Sequence, residues 1–141
     1  MRTFREAVQG ERFTLTAERT LARHSTADDG RRPADVLGRD VDGIQVTDNP
    51  YAWVQMSALA AAAILRGHGI DPLPILTCRD RNRIALESDL LGLRALGVSS
   101  LILTRGQRVS KKHAVQAGGV FDMSGRELIA LAASFGGDEA A

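Results

Sequence analysis

Between residues 72 and 104 the chain carries a pattern that few folds can accommodate. Pro72-Leu73-Pro74-Ile75-Leu76 is an apolar run of strand length, and the charged stretch Thr77-Cys78-Arg79-Asp80-Arg81-Asn82-Arg83 follows it. Leu86, Leu90, Leu93 and Leu96 then recur at helical spacing and lay a single apolar stripe along one face. Asp80 or Asn82 can cap such a helix at its start, and Gly97 is placed to end it. Ser100-Leu101-Ile102-Leu103-Thr104 reads as a second buried strand. Strand, helix, strand in this order means two parallel strands and a right-handed crossover. The charged loop then stands at the carboxyl end of a strand, where parallel α/β sheets hold their ligands. Taken alone, such a loop is more often a solvated turn with salt bridges.

The rest of the chain repeats the unit. Residues 1–11 read as a polar arm or frayed helix. Arg12 to Glu18 alternates and carries β-formers, so it predicts a strand that closes on a carboxylate. Residues 19–32 show no apolar period and read as a loop, with Pro33 to Leu37 a short helical turn. Gly43-Ile44-Gln45-Val46-Thr47 predicts a second strand, Asp48-Asn49-Pro50 a turn, and Tyr51 to about Arg66 a helix ended by Gly67 and Gly69. Past Thr104 comes a polar loop, then a helix from Ser124 to about Phe135 with the capping-box pair Ser124 and Glu127. The expectation is one domain over residues 1–141, an α/β chain of four parallel βα units.

Composition removes several functions. The net charge is +1 and the arginines are dispersed, so no concentrated basic face for nucleic acid is expected. Cys78 is the one cysteine, which excludes an intramolecular disulfide and Cys/His metal spacing. Residues 1–10 hold no apolar signal core, and the apolar stretch Ser57–Leu65 is too short to cross a bilayer. A cytoplasmic protein without membrane partners is the expectation.

The string TCRDRNRIALESDLLGLRALGV (residues 77–98) resembles the third βα unit of the methylenetetrahydrofolate reductase family, flavin-dependent (β/α)8 barrels of one-carbon metabolism. The resemblance extends over about residues 12 to 135 but only over the first half of the family barrel. A complete barrel takes roughly 250 residues, and this chain has 141. The implied fold is therefore a half or truncated TIM-type barrel with open edges at its first and fourth strands. Open edges pair or become covered, so a homodimer or a partner subunit is expected.

The resemblance also implies roles. Glu18 matches the family's catalytic carboxylate, the acid that protonates the folate nitrogen, and a carboxyl group can do so near neutral pH only if burial raises its pKa. Prolines usually follow it in the family, whereas Arg19 and Thr20 follow here. Thr47, Asp48 and Asn49 match the segment against the flavin, with helix capping as the alternative for Asp48 and Asn49. Thr77, Arg79 and Asp80 are further cofactor contacts, Asn82 a contact to cofactor or folate, and Arg81 and Arg83 surface or phosphate-facing charges. Where relatives have a polar flavin contact this chain has Ile75, and where they have Gly-Asp after the fourth strand it has Arg105-Gly106-Gln107. Arg105 and Gly106 are then cofactor-side and Gln107 a folate contact without the negative charge. The implied cofactor is FAD and the implied ligand a tetrahydrofolate derivative. The three histidines, His24, His68 and His113, read as solvent-facing, Cys78 as no nucleophile, and Trp53 as a packing residue. Lys111 and Lys112 could meet an anionic tail such as polyglutamate.

Two functions remain open. One is a reductase or reductase subunit that converts 5,10-methylenetetrahydrofolate to 5-methyltetrahydrofolate; the other is a non-catalytic folate-binding or regulatory subunit of a methyl-transfer complex. A purely structural half-barrel is a weaker third.

Overall fold

The computed structural model describes residues 3–38, 40–110 and 116–135. Lys111, Lys112, His113 and the tail from Gly136 lie outside them. The elements run α1 (Phe4–Gln9), β1 (Thr16–Arg19), α2 (Ala27–Leu37), β2 (Gly43–Val46), α3 (Ala58–Gly67), β3 (Pro72–Thr77), α4 (Arg83–Ala95), β4 (Ile102–Thr104) and α5 (Gly125–Phe135), with a tight turn at Pro50–Ala52 between β2 and α3. The four strands are all parallel and stand in the order β1-β2-β3-β4. The protein is an α/β fold of four successive βα units.

That order never reverses, so right-handed crossovers deliver α2, α3 and α4 to the same face of the sheet. Consecutive helices accordingly pack on one another, α2 on α3, α3 on α4 and α4 on α5. Ile44 and Val46 of β2 bury fully against Ala58, Ala61 and Leu65 of α3, where small alanines let the helix lie close to the strands. Leu76 of β3 does the same with Leu86, Leu90 and Leu93 of α4 and Leu128 of α5. The leucine stripe read from the sequence is therefore the core face of α4, although Leu96 at its end is partly exposed.

The opposite face carries no helix over most of its area. Strand residues alternate between faces, and the register aligns Thr16 with Gly43, Glu18 with Gln45, Ile75 with Ile102 and Thr77 with Thr104 on this side. Among the described helices α1 approaches it, at the amino end. The Phe4 amide donates to Asp71 Oδ2 at 2.8 Å, and Thr14 Oγ1 donates to the Ala7 carbonyl. A side chain at Gly43 would come within 3.0 Å of Leu73 and 3.2 Å of Phe4, so glycine is what lets α1 settle there.

Three expectations are corrected. Residues 19–32 are not all loop, because α2 begins at Ala27 behind a reciprocal capping box of Thr26 and Asp29. Its buried residues are Gly30 and Pro33, which give no apolar periodicity, and Gly30 lies against Ile64 of α3. The helix expected from Tyr51 starts instead at Ala58 with Ser57 as its cap, since Asn49, Tyr51 and Ala52 are all left-handed with φ of 45°, 55° and 63°. The first strand is shorter than expected, Thr16–Arg19, and Phe13 before it is 84% exposed.

Candidate functional site

The loops after β2 and β3 meet at the carboxyl end of the sheet. Asp48, almost wholly buried, accepts the Thr77 amide at 2.9 Å and takes the Arg81 guanidinium on both oxygens at 2.7 and 2.9 Å. Arg81 continues to Asp89 on α4 at 2.8 Å. Beside this pair, Arg79 is 2% exposed and forks onto Asp80 through Nε and Nη2, each at 2.7 Å. Its Nη2 also donates to the Asn49 carbonyl at 2.8 Å. Asn49 closes the circuit by donating to Asp80 Oδ2 at 3.3 Å and accepting the Gln55 amide at 3.1 Å. Gln55 is buried, accepts the Thr47 hydroxyl at 2.9 Å and donates back to the Thr47 carbonyl.

Electrostatics follows the pairing. Burial opposes the charge of Arg81, but Asp48, Asp89 and Asp80 outweigh it and its pKa is raised. Burial pulls Asp80 upward, and the Arg79 guanidinium, with help from Asn49 and Arg81, brings it net below the ordinary carboxylate range. The hydrogen bond to Asp80 raises Arg79 in turn. The charges of Asp48, Arg79, Asp80 and Arg81 are thus matched by neighbours in the same chain. Arg81, expected at the surface or facing a phosphate, is instead a part-buried link between the second loop and α4, whereas Arg83 is exposed and pairs with Glu87.

A third loop packs on the same rim. Gly106 adopts φ of +83° and sits where a side chain would lie 3.1 Å from both Thr77 and Arg79, so only glycine fits. Thr77 Oγ1 beneath it is buried with no hydrogen-bond partner among the described residues. The chain then returns over β3, with the Val120 and Phe121 amides donating to the Arg79 and Cys78 carbonyls at 2.6 and 3.1 Å. Arg105 lays its guanidinium 4.3 Å from the centre of the Phe121 ring.

The structure therefore brings Thr47, Asp48, Asn49, Thr77, Arg79, Asp80, Arg105 and Gly106 to one rim. Asn82 lies beside them but caps α4, accepting the Ala85 amide at 3.0 Å. Gln107 and Thr104 are exposed at the same end. Glu18 stands apart, exposed on β1, beside Gln45 in the register and with no ion pair among the described residues. Cys78 is fully buried, and that burial pushes its thiol pKa up.

Trp53 was expected to pack, yet it is 59% exposed, with Tyr51 at 66% and Val54 at 44%. They project from the loop between the two clamped residues Asn49 and Gln55. Left-handed backbone at a non-glycine residue costs on the order of 1–3 kcal/mol and persists only where the surroundings impose it. Here Arg79, Asp80 and Gln55 hold Asn49 in place. Ser57, three residues before the Ala60 amide it caps at 3.2 Å, was the sequence signal for a later helix start.

No protein-family model and no curated protein matches this chain.

Proposed function

We propose that the chain is one half of a barrel related to methylenetetrahydrofolate reductases, completed by a second copy or a partner subunit. The observation that carries this is an unreversed parallel sheet whose second face is largely free of helix, and whose β1 and β4 edges are unpaired, among the described residues. A sheet of this order curls toward closure as strands are added, and Glu18 stands on that face at the edge to be covered.

The rim does not make a flavin site by itself. Asp48, Asn49, Arg79 and Asp80 are already bonded to one another, and the orphan hydroxyl of Thr77 is covered by Gly106. Thr104, Arg105 and Gln107, together with Asp80 and Asn82, are exposed at the described rim and could meet a pterin or a flavin edge. In this reading FAD and the reduction of 5,10-methylenetetrahydrofolate belong to the completed assembly. Covering β1 would take Glu18 out of water, the change a carboxyl group needs before it can act as a general acid.

A second reading, a non-catalytic folate-binding or regulatory subunit, is favoured by the same internal pairing, which leaves a ligand few hydrogen-bonding groups. Absorbance on a sizing column with light scattering separates the two. A flavin band that co-elutes at twice the chain mass, with turnover abolished in Glu18→Gln, is the expected result for the reductase. A colourless peak that stays colourless with added FAD removes the stand-alone reductase and leaves tetrahydrofolate binding as the test of the second reading.

A further inference from the structure

We propose that the cleft between α4, β4 and α5, at the amino end of the sheet, binds a small amphipathic anion: a carboxylate carried on an apolar body. The cleft lies on the helix face, away from the carboxyl rim, and the proposal does not rest on the preceding reading.

The walls are apolar and incompletely closed. Leu90 and Leu93 of α4 form a buried floor, and Leu101, Leu103 and Phe135 stand half-buried around it. Leu103 pairs in register with the fully buried Leu76, which puts it on the helix face of β4. β4 is three residues long and ends the sheet, so among the described residues no further βα unit covers these leucines. What remains is a cleft of about 400 Å³, towards the small end of the roughly 300–1,000 Å³ of ligand pockets.

Charge selects the ligand class. Arg94, in the last turn of α4, and Arg5 of α1 both stand at this cleft. Both are exposed, and neither guanidinium makes an ion pair or a hydrogen bond among the described residues. Arg79, Arg81 and Arg83, by contrast, each hold a carboxylate. Ser99 is already engaged, since its hydroxyl donates to the buried Asp71 at 2.6 Å, and Ser100 Oγ lies 3.2 Å from it. Two unpaired guanidiniums beside an apolar floor match a group with two acceptor oxygens and a hydrocarbon body. An inorganic anion would leave the leucines in water, and a neutral hydrocarbon would leave both guanidiniums without a partner.

The full chain is titrated with octanoate, octanol and acetate by calorimetry, and the backbone amide shifts are followed by NMR. The expected result is saturable octanoate binding that moves the Leu101, Leu103 and Phe135 amides, with octanol and acetate at least about tenfold weaker. Arg5→Gln and Arg94→Gln should each weaken octanoate, and together by more than about tenfold. Both positions are exposed, so the urea midpoint should hold. Ala132→Leu adds bulk to the wall of the cleft and should lower the affinity without touching a charge.

No saturable binding of octanoate by the full chain overturns the site. Equal affinity for octanol and octanoate also overturns it and leaves a bare apolar patch. Unchanged affinity in the double Arg5→Gln, Arg94→Gln chain removes the guanidiniums and the proposal with them. Amide shifts at Asn49, Arg79 and Gln107 in place of Leu101 and Leu103 would put the ligand at the carboxyl rim instead. Binding that disappears as the protein doubles its mass with concentration would give the cleft to a second copy, and that too overturns the anion site.

Discussion

The two inner strands and the two outer strands behave as different materials. β2 and β3 are buried along nearly their whole length, and the loops that leave them are tied together by the Asp48–Arg81 pair and by the bonds of Arg79 and Asp80 to Asn49. β1 and β4 contain no fully buried residue, and among the described residues each presents one unpaired edge. The centre of the sheet is finished within this chain; the margins are where a second surface would attach. The matched pairs at the inner rim fix the shape of the fold, and the margins of the outer strands are the part left to something else.

The largest expected effect breaks the inner rim. Asp48→Ala leaves the Arg81 guanidinium half-paired and the Thr77 amide without its acceptor. Losing one partner of a buried pair costs about 3–5 kcal/mol, read as a fall in the urea midpoint; a loss below about 1 kcal/mol would show that water replaces the carboxylate. Next comes a contrast between centre and margin. Leu76→Ala, in the fully buried centre, should cost about 2–5 kcal/mol, while Phe13→Ala, ahead of β1, should stay within about 0.5 kcal/mol. Equal costs would mean that the outer segment is covered in solution.

The smallest effect sharpens the electrostatic side. Asp80 is depressed in the folded state, so its contribution to stability is complete above its unfolded pKa of about 3.9 and is lost as pH falls through the lower folded value. Asp80→Asn should therefore flatten the fall in stability below about pH 4, by no more than about 1 kcal/mol for a partly exposed pair. Denaturant midpoints across the acid range would show it, and an unchanged acid slope would place the titrating groups elsewhere.

The sequence made the α/β class and the β3–α4–β4 unit legible because both depend on apolar periodicity, and Leu86, Leu90 and Leu93 bury as that pattern requires. It hid α2, whose buried residues are a glycine and a proline, so packing there is by close approach rather than by apolar bulk. The rim residues were legible as a group but not in their partners. Asp48 meets Arg81 and Asn49 meets Asp80 only because β2 and β3 lie side by side, a fact of tertiary register that no local spacing encodes. The Tyr51–Trp53 loop was hidden by its own apolar composition, which imitates the start of a helix.

The short helix α1 has a further consequence for traffic. Phe4 rests on Gly43, its amide is held by Asp71, and Asp71 also takes the Ser99 hydroxyl at 2.6 Å. The start of the chain is thereby latched to the turns that begin β3 and lead into β4, across the amino end of the open face. In the proposed assembly, with strands added around it, α1 would floor the vessel and leave the carboxyl mouth as the way in and out.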